Sequence, residues 1–354
     1  MTARRFTSLD VFRGLTVALM IVVNTAGPGA PAYATLVHAR WIGFALADLV
    51  FPSFLFAVGS ALAFVRLADR PWPPFLIAVA RRSAIMFALG VLMYWFPFTS
   101  PFAETRIPGV LQRIALCYAL AAIACRVLGW RGLLALSAVL LIGHWLILLL
   151  ASPPGMAFDK MGNAGTRFDL WLIGKAHLYR KDGGFDPEGL LGTVPATVNV
   201  IAGYLAARGI RRGIGMRTLV WMGLALIVAA LCWAGMLPIA KKLWSGSFVL
   251  LTVGIDLCAL ALLVKLVEPR PDNAMVRFFL VFGRNPLAIY LFSELLVIAL
   301  RLLPAPDPYQ WVGVNVFQQL APGAPGSLLC AIAYTGICWL FGWLLARRGI
   351  MLRI

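Results

Sequence analysis

About ten apolar runs, each close to the roughly 20 residues a helix needs to cross a bilayer, recur along this chain and dictate what it can become. They fall at about 11–26, 45–65, 75–96, 107–125, 132–150, 190–207, 218–236, 247–266, 278–302 and 327–345, separated by short loops rich in Arg, Pro and Gly. Composition agrees: the chain is 61% hydrophobic and 13% charged, with a mean hydropathy of +0.87, outside the range of soluble domains. The expectation is an all-α polytopic membrane protein of about ten transmembrane helices, with residues 1–354 forming a single membrane domain. No internal repeat or low-complexity tract divides it.

The net charge of +17 would suit nucleic acid if its cations shared one soluble face. They are instead dispersed between apolar runs, so no nucleic-acid partner is expected. Membrane topology accounts for them better. With the N-terminus in the cytoplasm, Arg4, Arg5, Arg13, Arg66, Arg70, Arg81, Arg82, Arg126, Arg131, the cluster Arg208, Arg211, Arg212 and Arg217, and Arg347, Arg348 and Arg353 all fall on the inner side, as the positive-inside rule requires. Both termini are then cytoplasmic. The longest outer loop, at about 151–189, balances Lys160, Arg167, Lys175, Arg180 and Lys181 with five acids. It suits a lid over an outer cavity or a plain connection.

Arg4 and Arg5 before a short apolar core, with Ala32-Tyr33-Ala34 beyond it, also resemble a cleaved signal. Asp10, Arg13 and Asn24 are unusual content for one. The six cysteines, Cys117, Cys125, Cys232, Cys258, Cys330 and Cys338, all fall within apolar runs at no metal-type spacing. They read as buried apolar residues, and no metal is expected.

Ionisable and amide groups inside spans are costly, at least ~2.5 kcal/mol for a charge near a helix centre, and usually face a cavity or a partner. Here they are Asp48, Gln112, Arg113, Asn199, Asp256, Arg284, Asn285 and Glu294. Asp48 opens the second span, Asn24 closes the first, and His38 lies in the short outer loop between them. A carboxylate on one imidazole nitrogen fixes the tautomer and leaves the other to accept a proton or attack an acyl carbon. An amide nearby could donate to a developing oxyanion or hold an amine. A plainer reading makes His38 an interfacial residue and Asp48 a helix N-terminal acid favoured by the dipole. His144 and His177 carry less weight. Arg284-Asn285-Pro286 interrupts the ninth span, where Arg284 could meet an anionic group or pair with Asp256 across a kink.

Four stretches resemble the heparan-alpha-glucosaminide N-acetyltransferase family, including its bacterial members. The first runs from Ser8-Leu9-Asp10-Val11-Phe12-Arg13-Gly14-Leu15-Thr16 through Asn24 and His38-Ala39-Arg40-Trp41 to Ala47-Asp48-Leu49-Val50-Phe51-Pro52. Gly109-Val110-Leu111-Gln112-Arg113-Ile114 is the second, and Asp186-Pro187-Glu188-Gly189-Leu190-Leu191-Gly192-Thr193 the third. Leu243-Trp244-Ser245-Gly246-Ser247-Phe248-Val249, with Gly283-Arg284-Asn285-Pro286-Leu287, is the fourth.

The resemblance implies acetyl transfer across a bacterial inner membrane, from cytoplasmic acetyl-CoA to the amine of an outer, glucosamine-like sugar. The family's catalytic residues fall on His38, Asn24 and Asp48. For the coenzyme, Arg113, Arg284, Asn285, Lys241 and Lys242 are the expected contacts; for the sugar, Glu188, Gln112 and Trp41. A homodimer is also implied. Whether His38 carries the acetyl group or only a proton stays open. An amino-sugar transporter, which usually shows repeats and symmetric broken helices, and an acyltransferase for a lipid or cell-wall acceptor are the other classes compatible with these residues.

Overall fold

The computed structural model describes residues 6–65, 67, 71–305 and 307–352. Arg4, Arg5, Arg66, Arg70 and Arg353, invoked above for topology, lie outside the described residues. The protein is an all-helical membrane protein. In hydrocarbon every backbone donor and acceptor must be satisfied within the chain, and helices do this segment by segment. Among the described residues, eight helices are long and apolar enough to span: α1 (Thr7–Asn24), α3 (Trp72–Trp95), α4 (Val110–Val127), α5 (Trp130–Ala151), α7 (Leu190–Arg211), α8 (Met216–Trp233), α9 (Gly246–Val267) and α14 (Ala324–Arg347). At about 1.5 Å per residue they match a hydrocarbon core of about 30 Å.

Two expected spans take other forms. The second is a shorter apolar helix, α2 (Leu46–Leu62), with Pro52 inside it and most of its side chains buried. The ninth breaks into α10 (Ala274–Arg284) and α11 (Pro286–Arg301), bent by 78°. Pro286 explains the break: it has no N–H to give a preceding turn, but it suits the first position of a new helix. Counting both, ten apolar segments are present among the described residues, close to the number the run pattern anticipates.

The segment 151–189, expected on the outer side, is more ordered than a plain loop. It carries α6 (Ala164–Leu172), capped by Asn163, whose side chain accepts from the Thr166 N–H, and 3-10 turns at Lys175–His177 and Arg180–Asp182. Between α11 and α14 lie two short pieces, α12 (Pro308–Val312) and α13 (Gln318–Leu320), on either side of a π turn, Gly313–Phe317.

Helices α7 and α9 bury most of their length, whereas α5 and α8 bury little and form the lipid-facing shell. Against α7 packs α2, so closely that a Cβ on Gly59 would lie 1.8 Å from Val200 O, and one on Gly203 would lie 1.9 Å from Phe56 O. Only glycine allows backbones this near. Four of the cysteines are buried as expected; Cys258 is half-buried and Cys232 is exposed, since α8, which carries Cys232, turns much of its surface outward.

One end of the bundle gathers the first and last described segments. Ser8, at the start of α1, donates to Glu268 just past α9. Arg13 donates to Gly283 O at the α10–α11 break. Asn285 holds the chain after α14, donating to Ile350 O at 2.9 Å and accepting from the Leu352 N–H at 3.0 Å. Residues 8 and 350–352 therefore lie at the same end of the bundle.

Candidate active site

At the opposite end, the loop after α1 carries His38 back toward the N-terminus of α2. Asp48, in the first turn of α2, is 1% exposed, and its Oδ1 accepts from His38 Nδ1 at 2.9 Å. Its Oδ2 accepts from the backbone N–H groups of Ala45, at 2.9 Å, and Ala39, at 3.1 Å. The carboxylate thus caps α2 and pins the His38 loop at once. A carboxylate only accepts, so Nδ1 carries the proton and Nε2 keeps the lone pair of a neutral ring. The His38 side chain is 42% exposed, leaving that ring within reach of a substrate.

A second loop meets the first. Gly43 N–H donates to Ile239 O at 2.8 Å, and Gly43 and Ala240 form an isolated parallel bridge. This docking delivers Lys241 to the histidine: its Nζ lies 3.1 Å from Nδ1 and 3.3 Å from Nε2 of His38, and 3.7 Å from Asp48 Oδ1. An in-plane point equidistant from both nitrogens would overlap a ring carbon, so the ammonium group sits over the ring face. Burial pushes the Lys241 pKa below the ordinary lysine value, with Asp48 and Glu188 pulling against that shift. Lys242 turns to the segment 151–189, where it and Lys160 both bind Asp182. Burial would raise the Asp182 carboxyl, but the two ammonium groups hold it below its usual range.

Trp41 anchors the His38 loop to the same segment. Its indole donates to Phe158 O at 2.9 Å and meets the Phe185 ring edge-on at 4.9 Å. Beneath it, Arg106 donates to both Asp186 and Glu188 and lies over the rings of Tyr94 and Tyr179. Burial drives the Asp186 pKa upward despite Arg106. For Glu188 burial acts the same way but loses to Arg106, Arg113 and Lys241, which keep it ionised below the usual value. Arg113, fully buried in α4, donates to Gly189 O at 2.7 Å and stacks on Trp244 at 4.8 Å.

Asn24 is placed differently from the expected cluster. Its carboxamide Nδ2 donates to Glu294 Oε1, on α11, at 3.1 Å, rather than to His38 or Asp48. Gln112 is buried next to Gly90 and Gly109, and neither of its amide atoms bonds within the described residues. Among the other histidines, His144 is buried in α5 and His177 Nδ1 lies 2.7 Å from Thr105 O.

The five residues expected to hold coenzyme A divide between the ends. Arg113, Lys241 and Lys242 stand at the His38 end. Arg284 and Asn285 sit at the other, and Arg284 borders a cavity of about 670 Å³, a size typical of small-molecule sites, about 300–1,000 Å³. Arg13 and Arg82 line it with Arg284, and so do Tyr290 and Val110, which neighbour Tyr94. Asp256, an expected alternative partner of Arg284, instead accepts from Ser53 Oγ at 2.5 Å, midway along α9. Arg106 and Glu294 received no role from the sequence. Arg106 lies 80 positions before Asp186 and carried no local signal; Glu294 stood out only as an ionisable group within a span, and its partner Asn24 is 270 positions away.

Residues 5–165 match the family described as heparan-alpha-glucosaminide N-acetyltransferase, catalytic. The human protein named heparan-alpha-glucosaminide N-acetyltransferase is 28% identical over 355 aligned positions, covering 82% of this chain and 53% of that protein. The mouse protein of the same name is 27% identical over 378 positions, covering 88% of this chain and 55% of that protein. The chain spans about half the length of the curated relatives it matches. Asn24, His38 and Asp48 all lie inside the matched region, so the likeness to the heparan-alpha-glucosaminide N-acetyltransferase family covers the part of the chain that carries the candidate site.

Proposed function

We propose that this protein is an acyltransferase that moves acetyl from cytoplasmic acetyl-CoA to the amine of a glucosamine-like sugar on the opposite side of the membrane. The observation that carries this reading is the relation of its two ends. A histidine oriented by a buried carboxylate stands at one, and a cavity bordered by three arginines leads inward from the other.

The donor end has the chemistry that a polyphosphate needs. Arg284 is exposed, and Arg82 lines the cavity with its Nε unbonded among the described residues. Guanidinium groups bind phosphate in charge-assisted pairs. The apolar side chains beyond them, Met20, Phe54, Met86 and Leu111, suit an uncharged arm. Arg13, Arg126, Arg208, Arg211 and Arg347 share this end, which the positive-inside rule assigns to the cytoplasm. The transfer end would then face the bacterial periplasm.

At that end, the Nε2 lone pair of His38 serves either as base or as nucleophile toward the acetyl carbon. Asp48 holds the ring and supports the charge it gains. Lys241 brings a desolvated ammonium group to where an oxyanion would develop. The Trp41–Phe158 and Lys242–Asp182 links keep the outer segment over these groups, as a cover that excludes water would.

The test is labelled acetyl-CoA with a panel of amino sugars, comparing wild type with His38→Ala. Sugar-dependent release of free coenzyme that disappears in the variant is expected. Equal product from both proteins removes His38 from the chemistry. Protein-bound label that survives denaturation in wild type and is absent from the variant assigns His38 as the acetyl carrier; its absence during active turnover assigns it as the base.

A further inference from the structure

An amino sugar arrives largely as an ammonium ion, which has no lone pair and cannot attack an acyl carbon until a proton leaves. Most carboxylates grouped around His38 are already committed to other donors. Asp48 holds His38 and two backbone N–H groups. Asp186 and Glu188 share Arg106, and Asp182 bridges Lys160 and Lys242. Glu294 differs. Half-buried on α11, it takes a bond from the neutral carboxamide of Asn24, and no cation lies within ion-pair distance of it among the described residues.

The partner fixes the rest of the geometry. Because an ionised carboxylate only accepts, Asn24 must present its NH2 to Glu294, which leaves Asn24 Oδ1 as a second acceptor beside the carboxylate. Asn24 is exposed, so both acceptors can be reached. Tyr290, one turn before Glu294, lines the large cavity, and the charge of Glu294 reaches Tyr290 and also Tyr94, which lies under Arg106. Glu294 therefore stands where the cavity meets the outer polar cluster. The ionisable groups around it are Tyr94 on α3, Tyr290 and Arg301 on α11, and Tyr334 and Cys338 on α14, with Glu188 and Arg106 beyond Tyr94.

We propose that Glu294 and Asn24 bind the ammonium group of the acceptor sugar and that Glu294 takes the proton that frees the amine. This rests on the acetyltransferase reading above. One proton passes from the ammonium nitrogen to a Glu294 oxygen. The freed lone pair forms the N–C bond to the acetyl carbon as the bond from that carbon to its carrier, the coenzyme sulfur or His38 Nε2, breaks. The carrier leaves with the electron pair of that bond and takes up the second N–H proton, relayed through His38 Nε2 when the carrier is the coenzyme sulfur, and Glu294 returns its own proton to solvent.

The test is transfer by the full-length protein from acetyl-CoA to glucosamine across the pH range in which the sugar amine titrates, comparing wild type, Glu294→Gln and Glu294→Asp. Glu294→Gln is expected to raise KM for glucosamine about 10–100-fold and leave KM for acetyl-CoA unchanged. Its deficit should shrink as pH rises, because solvent then supplies the free amine. Glu294→Asp should keep the wild-type pH profile at a lower rate. A Glu294→Gln protein with wild-type glucosamine KM and pH profile overturns the proposal while leaving the transferase reading intact. Wild type that turns over acetyl-CoA with no amino sugar overturns both. Should Glu294→Gln fail to show an acetyl-CoA-induced thermal shift, the Asp variant decides: a retained profile supports the role, and a uniform loss at every pH rejects it.

Discussion

The ammonium nitrogen of Lys241 lies over the imidazole of His38, within 3.3 Å of both ring nitrogens, although the two residues are 203 positions apart. A positive group held there by a docked loop acts on charge that develops at the histidine. Lys241→Met is expected to lower kcat by about 10²-fold, the scale of losing one oxyanion donor, with little change in KM for either substrate. Lys241→Arg should recover part of the rate. A steady-state comparison checks this, and an unaltered kcat in the Met variant assigns Lys241 to loop docking alone.

Arg106 is the cation that makes Asp186 and Glu188 tolerable in a buried site. Removing one partner of a buried ion pair costs about 3–5 kcal/mol, because the remaining charge is left uncompensated. Arg106→Ala should therefore depress the melting temperature in detergent well beyond a surface substitution. Arg106→Lys should rescue it poorly, since the planar fork that serves both carboxylates is lost. A lysine variant as stable as wild type would show that charge alone suffices.

Asp169 predicts a pH dependence of stability. Burial pushes its pKa up to about 6, against the bond it accepts from the Leu190 N–H and aided by the nearby Asp186. With the folded value above the ordinary one, its contribution is complete below about pH 4 and is lost as pH rises through about 6. The shift of about two units corresponds to about 3 kcal/mol. Asp169→Asn mimics the protonated form and can still accept from Leu190. The variant should match wild type at low pH and melt higher above pH 6; parallel melting curves across the range would reject this.

At the other end, Arg284 lines the cavity from an exposed position. Arg284→Ala should raise KM for acetyl-CoA by about 10-fold or more, the worth of a charge-assisted bond, without altering KM for the sugar. Added salt should narrow the difference. Equal effects on both substrates would mean that the arginine acts on the fold.

The spans were legible because lipid imposes an unbroken apolar run on every crossing. His38 with Asp48 was legible for a related reason: a short loop and a helix N-terminus leave two residues ten positions apart little freedom to separate. The break at Pro286 was visible as well. What escaped was every relation that depends on how helices are arranged around one another. Asn24 meets Glu294 through the packing of α1 beside α11, and Lys241 stands beside His38 because its loop docks on Gly43. The 3-10 turns and α6 of the segment 151–189 were also unread; they are held by links from outside that stretch, such as Trp41 to Phe158.

The large cavity draws its wall from Arg13 on α1 and from Met351 and Leu352 past α14, which Asn285 holds in place. Such a chamber has no local precursor. Helices can insert one after another as they emerge, but this binding space comes into being only when the earliest and latest segments have met, so its formation reports on assembly of the whole bundle. Occupancy of the cavity by a ligand would then stabilise all ten apolar segments together. A lesion anywhere along the chain that loosens this closure would register as lost donor affinity before any helix is lost.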